Sequence, residues 1–278
     1  MADWLSAHES MVRLGCFLAT LTAMALWERA APRRALALPR ATRWFSNLGL
    51  MVLGGLAARL LVPVVATGVA LFAARTGSGL FNQLAAPAWV ALPVSVVVLD
   101  AAIYLQHLMF HAVPVLWRLH LVHHADVDFD TTTGVRFHPI EIVLSLLIKF
   151  AVILLLGPPV AAVILFEVLL NATALFNHGN VRLPHALDRV LRWLVVTPEM
   201  HRVHHSVHSG ETNSNFGFNL PWWDRLCGTY RDQPRDGHTG MVIGLHEPRD
   251  PRQVAQLPGM LRLPFLRAGA GYAINQRD

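Results

Sequence analysis

HLMFHAVPVLWRLHLVHH, running from His107 to His124, is the stretch on which the reading of this chain turns. His107 and His111 are four apart, so on a helix their rings stack on one face. His120, His123 and His124 form H-x-x-H-H. The first ring lies beside both of the others, and those two diverge by about 100° because a helix has 3.6 residues per turn. One of the adjacent pair can therefore reach one ion while its neighbour reaches another. The same box recurs at His201, His204 and His205, and twelve of the fifteen histidines fall between His107 and His208. Imidazole is the commonest side-chain ligand of transition metals. Eight rings exceed what one ion can use, so the count predicts two metals.

Neither Cys16 nor Cys227 lies in a cluster, which disfavours thiolate zinc and iron–sulfur sites. Imidazole alone suits several metals. A lipid-facing site with many neutral ligands fits iron activating oxygen better than zinc activating water, although zinc could replace iron in recombinant material.

Composition sets the surroundings. The chain is 54% hydrophobic and 15% charged, with a mean hydropathy of +0.41 over 278 residues, more apolar than a water-soluble domain requires. Against about 20 residues per span, five segments read as bilayer helices: 11–28, 47–73, 88–106, 141–156 and 159–177. Four full spans plus a partial one fit equally well. Gly157-Pro158-Pro159 breaks the last two into a hairpin. The first segment reads as a retained helix, since Asp3 and Glu9 precede it without a basic region. Arg29, Arg33, Arg34, Arg40 and Arg43 follow it, and such loops stay cytoplasmic. Counting spans from there puts all three boxes on the cytoplasmic face. Arg59, Lys149 and Glu167 are costly inside spans and are expected to snorkel or pair, or else to meet a substrate head group. Asn171-Ala172-Thr173 matches a glycosylation sequon but lies in a span.

The expected architecture is thus an all-α integral membrane protein of four to five membrane helices with a cytosolic helical cap holding a His-rich dimetal site. Residues 1–90 would supply N-terminal membrane helices, 91–235 the catalytic domain, and 236–278 a cytosolic tail. The tail mixes Arg252, Arg262 and Arg267 with leucines and Phe265, and either rests at an anionic interface or packs on the cap.

Several ordered motifs resemble the fatty acid hydroxylase/sterol desaturase superfamily: Asp100-x-x-x-Tyr104-x-x-His107-x-x-x-His111, Leu116-Trp117-Arg118-x-His120-x-x-His123-His124, Arg136-Phe137-His138-Pro139-x-Glu141, Asn177-His178-x-Asn180, Thr197-Pro198-x-Met200-His201-Arg202-x-His204-His205 and Trp223-Asp224-Arg225-x-x-Gly228-Thr229-Tyr230. The resemblance covers about residues 95–232. It implies a membrane enzyme with two histidine-ligated irons that uses O2 and external electrons to hydroxylate or desaturate a lipid. It also adds His178 to the eight box histidines as a ligand. Leu108 departs from the arginine that members often carry after the first box histidine.

His138 and His208, with Asp100 and Asp224, are candidates for binding metal or for supporting a bound ring. Asp126, Asp128, Asp130, Glu141 and Glu199 also lie near boxes, and a bound imidazole usually gives its other N–H to a carboxylate or carbonyl. Asp224 could equally lock the cap through Arg225. No flavin, haem or iron–sulfur motif is evident, so electrons must come from a separate ferredoxin-like carrier and its reductase. Arg182, Arg189, Arg192, Arg202 and Arg225 are expected to form an exposed basic face that attracts it. No nucleic-acid motif appears, and the expected location is the inner, cytoplasmic membrane. The chief alternative is a zinc-dependent membrane hydrolase, which would want a glutamate within a box, as in H-E-x-x-H, and none has one. A metal transporter would line its spans with ligands instead of gathering them at one face.

Overall fold

The computed structural model describes Trp4, residues 7–266 and residues 271–276. Asp3 and Arg267, used in the leader and tail readings, lie outside the described residues. The described chain is helical, with two isolated β-bridges and no strand. Five candidate spans are long and apolar enough to cross a membrane. The helices of seven or more residues among those described are α1 (Glu9–Ala30), α2 (Arg40–Leu61), α3 (Ala66–Thr76), α4 (Ala88–Ala112), α5 (Pro114–His124), α6 (Pro139–Leu156), α7 (Val160–Asn177), α8 (His185–Leu191) and α9 (Pro198–His204). Large apolar side chains such as Leu18, Phe45, Leu60, Trp89, Leu105 and Leu155 face outward. A water-soluble protein avoids such an exterior, whereas lipid accepts it.

One span differs from its expectation. Segment 47–73 is two helices, because α2 ends at Leu61 with Val62 as its C-cap, immediately before Pro63, and α3 starts at Ala66. Proline disfavours helical backbone in the residue before it and donates no hydrogen bond. Eleven residues make α3 about 16 Å long, too short to span. At the other breaker, Gly157 closes α6 at φ 64° and Pro159 opens α7. A Cβ on Gly79 would lie 2.4 Å from the Gly157 backbone nitrogen, so the loop after α3 packs directly on this hairpin.

The C-terminal ends of α1, α4 and α7 meet the N-terminal ends of α2 and α6. Glu28, near the end of α1, accepts N–H bonds from Thr131 (2.7 Å) and Asn180 (2.9 Å). Arg43, on α2, is buried and pairs with Asp126 at 2.7 Å and with Asp130. Arg136, also buried, donates to the Val122 carbonyl at 2.7 Å and to Asn47 at 3.2 Å. Charges this deep are tolerated only when paired and hydrogen-bonded; here they bolt the loop after α5 to α2. The loop arginines bind protein as well: Arg33 to Glu199 (2.7 Å), Arg40 to Glu28 (3.1 Å), and Arg34 to the Met241 carbonyl (2.6 Å).

The rest of the chain caps this end. Val254, Met260 and Leu263 join Trp117, Leu121 and Leu50 in one apolar core, so the described tail packs on α5 and α2. Phe265 and Leu266 remain exposed.

Candidate metal centre

The structure gathers nine buried histidines into two groups capable of holding metal: His107, His111, His120, His124 and His204, and His123, His178, His201 and His205. The adjacent pairs part as helix geometry dictates. His124 and His204 turn to the five-ring group, and His123 and His205 to the four-ring group. His107 and His111 end α4, one turn apart. Pro114 at the first position of α5 starts a new helix at once, which brings its three rings against them. Thr197 caps α9, its side chain accepting from the Met200 N–H, and His178 is the C-cap of α7.

Five rings are held from behind at Nδ1. His107 donates to the Phe216 carbonyl (2.8 Å), His111 to Asn213 Oδ1 (3.0 Å), His120 to Glu141 Oε1 (2.6 Å), His178 to the Ala174 carbonyl (2.8 Å) and His204 to the Ser214 carbonyl (2.7 Å). Each acceptor fixes the tautomer and leaves Nε2 with a lone pair pointing inward. His107 Nε2 and His120 Nε2 are 3.1 Å apart. Two lone pairs cannot hydrogen-bond to each other, but a cation reconciles them. At metal–nitrogen bonds of about 2.0–2.1 Å, ligands at right angles stand about 3 Å apart. His111 and His124 meet at 3.1 Å, and His178 lies 3.1 Å from His201 and 3.2 Å from His123. Both ring nitrogens of His205, and Nε2 of His204, are buried without a hydrogen-bond partner among the described residues. Each of these two rings thus has a buried lone pair with no protein donor, which fits a bound metal in each group.

The electrostatics agree. Burial pushes the His120 and His178 imidazoles down to about 3, and holds those of His123, His124, His201, His204 and His205 well below the ordinary value, with neighbouring rings adding to it. Neutral imidazole is the form that ligates. Phe137 stacks on His123 at 4.6 Å and Phe129 on His178 at 5.5 Å, walling the groups from water.

The remaining candidates lie outside both groups. His138 caps α6 and its Nε2 faces the Leu261 carbonyl at 3.3 Å. His208 pairs with Asp236 at 2.7 Å. Asp100 accepts from Trp223 Nε1 (2.7 Å) and from the Asn219 and Leu220 N–H groups. Asp224 accepts from the Phe216 and Gly217 N–H groups, both at 2.8 Å. Asp100 and Asp224 therefore hold the loop whose Phe216 carbonyl orients His107, and Asp224 fixes it without an ion pair to Arg225. Of the carboxylates near the boxes, Glu141 alone among the described residues bonds a clustered ring. Asn213 and three backbone carbonyls had not been singled out from sequence. Carbonyls have no side-chain signature, and Asn213 had only its place twelve residues after His201.

The basic face is smaller than expected. Arg202 is fully buried, 3.2 Å from Glu199 one turn back, and Arg192 is buried against Asp188 and Asp232. The Arg225 guanidinium lies between Trp193 (3.7 Å) and Tyr230 (3.9 Å). Arg182 and Arg189 remain exposed.

A cavity of about 420 Å³ descends from His107, His120 and Glu141 between the membrane helices to Arg13, Lys149 and Glu167. Lys149 pairs with Glu167 at 2.7 Å and Arg13 with Glu167 at 2.9 Å, so two of the charges expected inside the spans meet each other, whereas Arg59 is exposed.

The fatty acid hydroxylase family model matches residues 92–229. The chain is 30% identical to an ornithine lipid hydroxylase of Rhizobium tropici, over 54% of this chain and 44% of that protein. It is 29% identical to the alkylglycerol monooxygenase of Xenopus tropicalis (47% of this chain, 28% of that protein) and 27% identical to that of Homo sapiens (54% and 32%). It thus spans less than half the length of these relatives. No solved structure matches it. With the family's segment carrying all nine clustered histidines, the chain belongs to the fatty acid hydroxylase/sterol desaturase superfamily.

Proposed function

We propose that the chain is a membrane oxygenase that hydroxylates or desaturates a lipid at two irons held by His107, His111, His120, His124 and His204 and by His123, His178, His201 and His205. The observation that carries this reading is the cavity running from the five-ring group into the membrane bundle. It gives a lipid a route to the metal from within the bilayer. Five imidazoles exceed the four ligands of a closed structural zinc site, which favours a metal of higher coordination number. The named relatives are a lipid hydroxylase and monooxygenases, in keeping with the same chemistry here.

Irons so held would supply reductive activation of O2, with two electrons per turnover from a separate carrier. The protein's part is to keep every ring neutral, to fix five of them through Nδ1 acceptors, to exclude water with Phe129 and Phe137, and to position a C–H bond beside His107 and His120. Hydroxylation balances as substrate, O2, two electrons and two protons giving alcohol and water. The basic loop arginines favour placing this face in the cytoplasm, with the spans in the inner membrane.

One observation favours the zinc hydrolase. Glu141 Oε2 is buried and unpartnered among the described residues, in the wall of the cavity, where a general base for a metal-bound water would stand. Turnover in membranes with a ferredoxin-like carrier and reductase, under ¹⁸O-labelled O2, separates the two. Oxygenase chemistry stops under anaerobiosis and puts label from O2 into any hydroxylated product. Undiminished anaerobic turnover with product oxygen from water would replace it with hydrolysis.

A further inference from the structure

The cavity is not the plain apolar tunnel that a hydrocarbon chain would fill. Glu141, Ser145 and Lys149 follow one another at four-residue intervals down α6, and all three line it. Such spacing puts them on one stripe, with Lys149 about 12 Å below Glu141 at 1.5 Å per residue. Gln106 faces the stripe from α4, Asn171 and Glu167 from α7, and Arg13 from α1.

Four charges in this region form a chain. Glu9 accepts from Thr67 at 2.6 Å and pairs with Arg13 at 2.9 Å, and Arg13 and Lys149 both pair with Glu167. Mutual pairing would explain such charges in a bundle that needed only cohesion. It does not explain Gln106. Its Nε2 donates to Ser145 Oγ at 2.9 Å, while Oε1 is buried without a partner among the described residues. Turning the amide over only exchanges which end is left open. A methylene chain satisfies neither end, and ionisable groups inside membrane spans are costly enough to mark function.

We propose that the polar head of the lipid, not the end of its hydrocarbon chain, occupies this cavity. A zwitterionic head finds Glu167 for its cation and Lys149 for its anion, with Asn171 beside them. The Gln106–Ser145 pair takes a hydrogen-bonding group one turn nearer the metal. The carbon oxidised then lies close to the head, within about 12 Å of it. This deepens the oxygenase reading and rests on it for the oxidation, though not for the binding.

Photolabelling tests the binding without any turnover. The protein, metal-loaded or metal-free, is placed in phosphatidylcholine nanodiscs with lysophosphatidylethanolamine that carries a diazirine either beside the glycerol or at the chain terminus. The head-proximal probe is expected to label residues 141–149 and 167–174 at least fivefold more than the terminal probe. Equal labelling, the reverse order, or no labelling of these helices overturns the proposal. Gln106→Leu and the paired Lys149→Met/Glu167→Gln should each cut head-proximal labelling severalfold at an unchanged thermal midpoint. If the double variant does not fold, Gln106→Leu alone decides, and labelling that survives it overturns the proposal. Loss of oxygen-dependent turnover with this pattern intact would sink the oxygenase reading and leave the headgroup site standing.

Discussion

His120 Nδ1 lies 2.6 Å from Glu141 Oε1, a contact between the second box on α5 and the first turn of α6. It links the five-ring group to the cavity wall, because the same carboxylate lines the space into which His107 and His120 face. Carboxylates behind ligating imidazoles set ring orientation and basicity.

Glu141→Ala should therefore weaken metal binding about 10–100-fold, with Glu141→Gln losing less because the amide oxygen still accepts from Nδ1. Metal retained after dialysis against graded chelator measures this. Equal retention in wild type and Glu141→Ala would show that the contact does not support the metal.

The two groups should empty separately. Wild-type protein from iron-replete cells is expected to hold about two metals per chain on the ligand count. His205→Ala leaves three rings in its group and should bring the content towards one. His204→Ala leaves four in the other and should lose less metal, while abolishing turnover through altered geometry. Elemental analysis of each purified variant gives the count, and a wild-type content of one would reject the dinuclear arrangement.

Gly134 presses on His178. A Cβ there would lie 2.4 Å from the Ala174 carbonyl oxygen and 3.1 Å from His178 Nδ1, the two atoms of one hydrogen bond. Backbone cannot yield cheaply, so Gly134→Ala should cost about 1–3 kcal/mol and deplete the four-ring group. A lower thermal midpoint with normal metal content would mean that His178 recovers its place.

Glu199 joins Arg33 (2.7 Å), Arg202 (3.2 Å) and His238 (3.0 Å) on the helix that carries the third box. Burial raises its carboxyl, but the His238 hydrogen bond and the two arginines hold it at about 2, below its ordinary 4.5. A depressed folded value stabilises fully above the unfolded one and is lost as pH falls from 4.5 towards 2. The contribution is up to roughly 3 kcal/mol before screening. Thermal midpoints against pH should show that limb in wild type and not in Glu199→Gln; identical profiles would place the acid sensitivity elsewhere.

The spans and the parting of neighbouring rings were legible because both depend on local periodicity. Pro63 was a visible stop within 47–73, outweighed in the reading by the apolar run around it. Burial of Arg192 and Arg202 was not legible, since an arginine near a box looks solvent-facing until Asp188 or Glu199 is known to lie opposite. The polar stripe on α6 could be counted from sequence, but not the cavity it lines.

By itself the sequence determined the membrane helices, the box chemistry and the angular divergence of His123 from His124 and of His204 from His205, all consequences of 3.6 residues per turn. Tertiary structure alone decided which rings share a group, which carbonyls stand behind them, and where Gln106 faces Ser145. Those relations join residues up to 109 positions apart, as His107 and Phe216 are, and no local spacing encodes a distance that packing creates.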